Sequence, residues 1–466
     1  MIIFFKVVYL SCSMIETFKF ISSGIRPDCW YFVEIGSEEE EEILLKIISM
    51  KPERFIILKG KFESKIIDKI PFKMIFDFEE GNVNELKKRI LNNENKRERE
   101  RELEICNLIC SHKRNPLKVD EWISNSLDSC FVHVKLGKEF PECSEVERLK
   151  DLEILRDWQF TAMNRETDEL LRLTFRIFQD FDVLNEFEIS EERFKLFLLA
   201  VNCNYFDNPY HNFCHVVDVL QCCYYLLREA AGGNLKILLG PVHLFALLIA
   251  CLCHDLGHPS FGNNFLKDSE HPLAILFNDS SVLENYHSLV LFSILRCPLY
   301  NWTETENMNF SKKDFRKCVV SCILGTDMSN HFDFIKQFNE TFPKLNENHQ
   351  LIILNSSEKV QLAIALIKCS DISNVLRPFP IAKSWGIALL NEFFLQGDYE
   401  KLLNLPIGPL NDRNSLKTGP AQHQFLTVFA APLYRAVSGK ISGLQCFDQW
   451  IQENAENWLK FKEDDL

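Results

Sequence analysis

The first 92 residues alternate short apolar runs with segments of helical periodicity. Four apolar runs have the length and composition of buried strands, namely IIFFKVVYL, CWYFVEI, RFIILKG and FKMIFDF. Two intervening segments, EEEEEILLKIISM and VNELKKRILNN, carry apolar residues three and four positions apart, as amphipathic helices do. The alternation predicts a small α/β domain over residues 1–92, with a mostly parallel sheet.

The order of strands and helices in residues 1–92 resembles that of a response-regulator receiver domain. A receiver domain carries an acidic pair just after its first strand, where this chain has SCS at 11–13. We therefore expect either a degenerate receiver-like domain that does not accept phosphate, or an unrelated α/β scaffold with the same alternation.

The pattern changes after residue 92. Residues 93–115 are dense in alternating charge, which is typical of a solvated helix or linker, and we place a linker and connecting segment over 93–144. From 145 to 466 almost every segment has helical periodicity, and strand patterns are nearly absent. The fold class predicted for the chain is mostly α, with an all-helical domain over 145–466 that follows the smaller α/β domain.

Composition narrows the possible partners and the compartment. Lys and Arg total 52 against 66 Asp and Glu, a net charge of -14, and no basic stripe is present, so we expect no nucleic acid partner. The 17 cysteines are scattered, often within apolar helical runs, which indicates buried thiols in a reducing, cytoplasmic compartment. The apolar opening MIIFFKVVYL is interrupted by Lys6 and is shorter than the roughly 20 residues of a membrane span, so none is predicted there.

Histidines are concentrated in two short segments, YHNFCH at 210–215 and HDLGHP at 254–259. His211 and His215 are four residues apart, as are His254 and His258, so each pair emerges on one face if its segment is helical. Asp255 adds a carboxylate beside His254. Imidazole and carboxylate suit zinc and harder divalent cations, and the sequence therefore predicts a metal site.

A further acid completes this predicted site. Asp371 lies in KCSDIS at the end of an apolar helical run, where an acid without a function would be costly to bury. No Cys-x-x-Cys pairs accompany these residues, which disfavours a structural zinc knuckle. The site is therefore predicted to be catalytic.

Six ordered motifs carry a family resemblance. They are NPYHNFCHVVDVLQ (208–221), HDLGHPSFGNNF (254–265), FNDSSVLENYH (277–287), GTDMSNH (325–331), CSDISN (369–374) and PAQHQF (420–425). Together they resemble the signatures of class I 3′,5′-cyclic-nucleotide phosphodiesterases. The resemblance extends from about residue 145 to the end of the chain.

The resemblance implies a two-metal centre. It assigns His215, His254, Asp255 and Asp371 as ligands of Zn²⁺. Asp255 would also bridge to a second ion, Mg²⁺ or Mn²⁺, whose other ligands are mostly water. A metal lowers the pKa of bound water to roughly 7, so the resemblance implies hydroxide as the nucleophile.

The resemblance also assigns residues that handle protons and water. His211 matches the general acid that protonates the departing O3′ of the ribose, and Glu392 is a candidate for orienting its imidazole. His258, Glu284 and Thr326 match positions that hold metal-bound waters, and Glu284 is placed with the catalytic residues.

The base would be bound by a separate group of residues. Gln422 matches the glutamine that reads the purine, and Phe425 matches the ring that stacks on it. Leu389 falls where the opposing apolar side of the clamp lies, and Asn374 and Tyr210 match positions beside the nucleotide.

The predicted function is therefore hydrolysis of a 3′,5′-cyclic nucleotide to the 5′-monophosphate. The segment EFFLQGDYEKLLNLPIGPLNDRN most resembles the high-affinity, cAMP-selective branch. Three alternatives stay open: a cGMP-selective or dual-specificity enzyme, an HD-type hydrolase of another phosphate ester, and a catalytically dead nucleotide sensor. A homodimer and regulatory contacts through the N-terminal domain are further expectations.

Overall fold

The structure is a computed structural model that describes four short strands and most of the chain from residue 140 onward. The described ranges are 6–10, 29–34, 55–59, 75–77, 140–141, 144–296, 301–304, 311–345 and 353–462. The chain divides into two compact units, Met1–Phe140 with Asn202–Asn204, and Pro141–Val201 with Tyr205–Leu466. The predicted linker at 93–144 falls almost entirely outside the described residues and stays a prediction.

The four strands form one parallel sheet. They are β1 (Lys6–Leu10), β2 (Cys29–Glu34), β3 (Phe55–Lys59) and β4 (Ile75–Asp77), and each lies within one of the four predicted apolar runs. Their order in the sheet is β1-β2-β3-β4, with Val8 opposite Tyr31 and Val33 opposite Ile57. The predicted parallel α/β sheet is confirmed, and the helices predicted between its strands lie outside the described residues.

The strand order corrects the receiver-like expectation. In a receiver-like sheet the first strand lies between the second and the third, whereas here β2 lies between β1 and β3. The simple order arises when each crossover advances in the same direction, while the receiver order needs one reversal. Both orders share the same alternation along the chain, so the sequence pattern could not distinguish them.

The second unit is helical throughout its described elements, apart from one isolated bridge between Leu345 and Ile441. Its helices are α1 (Glu145–Leu155), α2 (Thr167–Asp180), α3 (Val183–Glu186), α4 (Glu191–Cys203), α5 (Phe213–Glu229), α6 (Leu235–Cys253), α7 (Asn263–Asp268), α8 (Pro272–Leu276), α9 (Val282–Leu295), α10 (Lys312–Gly325), α11 (His331–Thr341), α12 (Ser356–Asp371), α13 (Phe379–Leu402), α14 (Thr418–Gln424), α15 (Ala431–Lys440) and α16 (Cys446–Lys460). A π-helical turn, Phe425–Ala430, joins α14 to α15. Short 3₁₀ turns occupy Ala230–Gly233, Trp302–Glu304, Met328–Asn330 and Ser373–Leu376. The predicted all-helical domain is confirmed.

Helix α6 forms the centre of this unit. By length and composition it could cross a membrane, but Gly240, with a φ of 68°, and Pro241 break it. The unbroken part is about 20 Å long, well short of the roughly 30 Å hydrocarbon layer. All residues from Leu244 to Cys253 are buried, and the helix packs against α5, α10 and α12. Helix α6 is therefore the core helix on which the neighbouring helices assemble.

The ends of three core helices are fixed by local interactions. Asn212 caps α5 by accepting from the His215 backbone N–H at 3.1 Å, so α5 begins just before His215. Asn355 and Glu358 form a capping box at the start of α12. Helix α6 ends immediately before His254, and α12 ends at Asp371. The chain therefore places its predicted metal ligands at helix ends.

A buried cation ties the first segment of this unit to the core. Arg377 is fully buried and donates to the Trp158 carbonyl at 2.9 Å and to the Gln221 side chain at 2.6 Å. Its guanidinium lies 4.4 Å from the Trp158 ring centre and 3.7 Å from Asp218. Burial raises the pKa of Asp218 and Arg377 opposes that shift, so the charged pair is interdependent.

Replacing this cation should strongly destabilise the helical unit. In Arg377→Met we expect the free energy of unfolding to fall by about 3–5 kcal/mol, because Asp218 is left buried without its counter-charge. Urea denaturation followed by circular dichroism measures the loss. Arg435→Met removes an ion pair that is 61% exposed on both sides and should change the urea midpoint little. Equal effects of the two substitutions would contradict the assigned role of Arg377.

Candidate active site

Three helix ends bring four metal-ligand candidates together. His215 lies in the first turn of α5, His254 and Asp255 follow α6, and Asp371 is the last residue of α12. One ligand atom from each lies within 4.8 Å of the others. Three segments that are at least 39 positions apart in sequence thus form one cluster, and it contains the four ligands predicted from the sequence.

The distances within this cluster fit a small divalent cation. His215 Nε2 lies 3.4 Å from Asp255 Oδ2 and 3.2 Å from Asp371 Oδ1. His254 Nε2 lies 3.1 Å from each of the same two oxygens. A tetrahedral ion with ligand bonds of 2.0–2.2 Å would separate its ligands by about 3.3–3.6 Å. The four atoms therefore need only small shifts to surround such an ion.

The chemistry of the two imidazoles supports the same conclusion. His254 Nδ1 donates to the Cys251 carbonyl at 3.0 Å. Its Nε2, which faces the two carboxylates, is therefore the nitrogen that could bind a metal. His215 Nε2 is buried and has no hydrogen-bond partner among the described residues. A cation would satisfy this nitrogen, and the residues present fit a metal centre.

Electrostatics keep the cluster ionised. Burial alone would raise the pKa of Asp255 and of Asp371, but the neighbouring histidines, His254 first, hold both well below the usual range. Burial would lower the pKa of His254, and the two carboxylates instead raise it well above 6.5. In the absence of metal, a proton on His254 offsets the charge of the acids, and a divalent cation would replace it.

A second group places His211 next to the ligand cluster. Its ring centre is 5.8 Å from that of His215, and its Nδ1 donates to Glu392 Oε1 at 2.5 Å. The other Glu392 oxygen accepts from the backbone N–H groups of Tyr210 at 2.9 Å and His211 at 3.0 Å. Glu392 is 2% exposed, so this carboxylate fixes both the backbone and the ring of His211.

The Glu392 carboxylate also decides the charge of His211. Burial would lower the pKa of His211, but the charge and hydrogen bond of Glu392 raise it from 6.5 to about 9. Burial would likewise raise the pKa of Glu392, yet His211 holds it at about 2. His211 is therefore a proton donor at neutral pH.

His258 packs directly on this donor. The two rings are stacked, with centres 3.9 Å apart and planes inclined by 15°. Burial, followed by the positive charge of His211, lowers the pKa of His258 well below 6.5. Its Nδ1 accepts from the Ser260 N–H at 3.1 Å, so His258 is a neutral imidazole.

Glu284 and Thr326 both lie near the acidic residue Asp327. Glu284, in the first turn of α9, accepts from the Asn263 amide at 3.0 and 3.2 Å. Burial, then the charge of Asp327, raises the pKa of Glu284 from 4.5 to about 7. Thr326 caps the end of α10 and donates its hydroxyl to the Ile323 carbonyl at 2.8 Å.

Two residues with a role in the site were missed by sequence reasoning. Asn208 donates to the carbonyls of His211 and His258, both at 2.8 Å, and so joins the two histidine segments. His287 donates to the Leu256 carbonyl at 2.8 Å and places Nε2 3.7 Å from Asp255 Oδ1. Both residues lie inside quoted motifs, which was the only signal available for them.

The residues predicted to bind the base form two sets. Tyr210 and Asn374 are both buried, and the Asn374 amide donates to the Tyr210 hydroxyl at 2.5 Å. Gln422, on α14, is 5% exposed. A Cβ at Gly386 would lie 3.1 Å from the Cδ and Oε1 atoms of Gln422, so the amide packs against α13 at that glycine.

Leu389 and Phe425 complete the second set. Leu389 is half-buried on α13, one turn after the glycine that contacts Gln422. Phe425 is half-buried in the π-helical turn and stacks on Phe429, with ring centres 5.7 Å apart and planes inclined by 17°. The tertiary structure thus brings Leu389 and Gln422 to one stretch of α13 and leaves the Phe425 ring partly accessible.

Comparisons with known proteins agree with this geometry. A family model described as 3′5′-cyclic nucleotide phosphodiesterase matches residues 210–449. The 3′,5′-cyclic-nucleotide phosphodiesterase regA of Dictyostelium discoideum is 34% identical over 317 residues, 67% of this chain and 38% of that protein. The cGMP-specific 3′,5′-cGMP phosphodiesterase 3 of the same organism is 34% identical over 299 residues, 64% of this chain and 62% of that protein.

A mammalian relative and a solved structure extend the comparison. The 3′,5′-cyclic-AMP phosphodiesterase 4C of Rattus norvegicus is 33% identical over 272 residues, 57% of this chain and 49% of that protein. The crystal structure of the phosphodiesterase domain of the RhoPDE fusion protein from Salpingoeca rosetta has 30% identity and a TM-score of 0.59. That match covers 66% of this chain and 95% of the solved chain, whereas the chain spans less than two thirds of the three curated relatives.

The fold and the site together define a helical protein that has a candidate metal centre, formed by His and Asp side chains where the ends of several helices meet. The matched family model covers more than half of the chain and includes all four ligand candidates. The chain therefore belongs to the 3′,5′-cyclic nucleotide phosphodiesterase family.

Loss of one ligand candidate should abolish tight metal binding. In Asp371→Asn we expect the affinity for Zn²⁺ to fall by more than about 100-fold, because even residues that only orient metal ligands contribute 10- to 100-fold. Calorimetric titration of metal-free protein with Zn²⁺ measures the change. Asp398→Asn is a matched control, since that carboxylate is 49% exposed and pairs with Arg413. Unchanged zinc affinity in Asp371→Asn would contradict the site.

Removal of the Glu392 charge should lower the pKa of His211. In Glu392→Gln we expect this pKa to fall from about 9, because burial is then opposed only by the more distant charges of Asp255 and Asp371. As the pH rises, His211 in the variant thus loses its proton at a lower pH than His211 in the parent protein. NMR titration of the imidazole nitrogens of metal-free protein gives the value. His243, whose pKa is lowered by burial and Lys359, is an internal control that should not change. A His211 pKa that stays near 9 would show that Glu392 is not its cause.

Proposed function

We propose that this protein hydrolyses 3′,5′-cyclic nucleotides, with cAMP preferred, to the 5′-monophosphate. The observation that carries the proposal is the His211 imidazole, which is hydrogen-bonded at 2.5 Å to buried Glu392 and lies beside a cluster of four candidate metal ligands. Hydrolysis of a cyclic phosphodiester needs both parts, since the phosphate charge must be neutralised and the departing alkoxide must receive a proton.

The metals proposed for the site are Zn²⁺ at the four-ligand cluster and Mg²⁺ or Mn²⁺ beside it. Asp255 directs Oδ2 toward His215 and His254, and Oδ1 toward His287. Its two oxygens thus point toward different groups of histidines, as is required of a carboxylate that bridges two cations. When bound, the cations would supply Lewis acidity that neutralises phosphate charge and makes water a better nucleophile. Glu284, His258 and Thr326 line the side on which ordered water would be held.

The proton transfer is proposed to take place at the ribose. A water oxygen forms a bond to phosphorus, the bond from phosphorus to O3′ breaks, and O3′ takes a proton from His211. The attacking water releases one proton to solvent, and a proton from solvent then restores His211. The pKa of about 9 keeps His211 protonated at neutral pH before the reaction. Glu392 then stabilises the ring orientation through its 2.5 Å hydrogen bond to Nδ1, leaving Nε2 to face the substrate.

The base is proposed to bind between Phe425 and Leu389, with its edge against Gln422. Gln422 supports this placement because its amide packs against Gly386, one turn before Leu389 on α13. The amide can present a donor or an acceptor, so it fits adenine or guanine. The preference for cAMP is supported only by the resemblance of residues 392–414 to the cAMP-selective branch.

Selectivity for cGMP is the second candidate. Relatives at similar identity include a cGMP-specific enzyme of Dictyostelium discoideum as well as the cyclic-AMP phosphodiesterase 4C. A sensor without catalysis is disfavoured by retention of the proton donor and of all four ligand candidates. Hydrolysis of an unrelated phosphate ester is disfavoured because it gives no role to Gln422 and Phe425, the residues proposed to bind a purine.

A cytoplasmic location is also proposed. Ten cysteines between residues 203 and 446 are free thiols, and most of them are buried. Free thiols in this number are typical of a reducing compartment. A homodimer and regulation through the N-terminal unit belong to the same proposal, and truncation of residues 1–120 would test the regulatory part.

Parallel hydrolysis assays test the proposed activity. With Zn²⁺ and Mg²⁺ supplied, we expect kcat/KM for cAMP to exceed that for cGMP by about tenfold, a difference of roughly 1.4 kcal/mol in transition-state binding. His211→Ala should lower kcat by about 10²–10⁴-fold on either nucleotide, and much less on a nitrophenyl phosphodiester whose leaving group needs no proton.

The possible outcomes separate the parts of this proposal. A higher kcat/KM for cGMP would overturn the cAMP preference alone. Binding of both nucleotides without turnover would favour the sensor. Absence of both binding and turnover in fully metallated protein would overturn the proposed function.

A further inference from the structure

We propose that His331 is a positioning residue for the base-binding side of the site, where it holds the π-helical turn that carries Phe425. The inference goes beyond the predicted roles, because His331 ends the GTDMSNH motif without any function assigned to it. It rests on the proposed binding of the base at Phe425.

The turn at Phe425–Ala430 needs outside support. It is a π-helical turn, in which the Ala431 N–H reaches back five residues to the Leu426 carbonyl. Thr427 donates its hydroxyl to a carbonyl one turn earlier, at 2.8 Å, and Pro432 lacks the N–H that a regular helix would use. Such turns are rare and less stable than α-helix, and they occur mainly at functional sites.

His331 supplies that support from the neighbouring helix. It is the first residue of α11 and is fully buried. Its Nε2 lies 3.0 Å from the Phe429 carbonyl oxygen and donates to it. The contact joins residues 98 positions apart. The acceptor is a backbone carbonyl of the turn and the donor lies on α11, so a neighbouring helix holds the turn in place.

Aromatic contacts carry this support to Phe425. Phe332, next to His331, lies 5.4 Å from Phe429 between ring centres. Phe429 in turn stacks on Phe425 at 5.7 Å. A shift of the Phe429 backbone would therefore move the ring proposed to stack on the base.

The segment 325–331, which ends at His331, also reaches the metal side of the site. Its first residue, Gly325, accepts at 2.8 Å from the buried ammonium of Lys368, which lies on α12 one turn before Asp371. Asp327 accepts from the Ser281 hydroxyl at 2.6 Å, next to α9 and Glu284. The segment 325–331 thus fixes the metal side at one end and, through His331, the base side at the other.

A matched pair of substitutions tests this role. His331→Gln keeps a donor near the position of Nε2, whereas His331→Met has a similar length and no donor. In the Met variant we expect KM for the cyclic nucleotide to rise about 3- to 10-fold, the usual effect of one lost hydrogen bond, with kcat within twofold. The Gln variant should stay within twofold of the parent in both constants, and zinc affinity should be unchanged in both variants.

A second measurement does not depend on turnover. Hydrogen exchange of the backbone amides of 425–431 should become faster in His331→Met and stay near the parent rate in His331→Gln, while α5 and α12 are unaffected. If the parent protein hydrolyses no cyclic nucleotide, the proposed function fails and this exchange pattern still tests the His331 contact. Unchanged exchange and KM in the Met variant would overturn the inference, and so would equal losses of kcat and stability in both variants.

Discussion

The rest of the structure depends on two carboxylates, buried Asp255 and partly buried Asp371, held opposite two imidazoles. A carboxylate taken out of water is costly unless charge and hydrogen bonds replace its hydration. Here the compensating imidazoles come from the start of α5 and the end of α6, and they face Asp371 at the end of α12. A divalent cation would complete the compensation, because four candidate ligand atoms lie within 4.8 Å of one another. The packing of α6 against its neighbours therefore serves the site as much as the core.

Glu392 shows how one buried carboxylate organises a reactive group. It accepts two backbone N–H groups and the Nδ1 proton of His211, and this arrangement sets both the position and the charge of that imidazole. The stacked ring of His258 stays neutral against the charged His211. Two histidines in contact thus carry opposite protonation preferences, because Glu392 favours the charged form of His211 and that charge disfavours a second one on His258.

The sequence pattern predicted the class of each unit but not every arrangement. Apolar runs located all four strands, and helical periodicity predicted the helical domain from 145 onward. The receiver-like sheet was wrong, because strand order depends on the direction of each crossover, which leaves no trace in hydrophobic alternation. The break in α6 at Gly240 and Pro241, by contrast, follows directly from residue type.

The sequence by itself predicted a metal site, since histidines four residues apart, a His–Asp dipeptide and an acid ending an apolar helical run are local features. The family resemblance then selected the four candidate ligands. Only the tertiary structure decided which groups complete them. Glu392 meets His211 across 181 positions, and His331 meets Phe429 across 98. The physical reason is that local spacing fixes which face of a helix a side chain occupies, whereas helix packing and loop closure decide what that face meets.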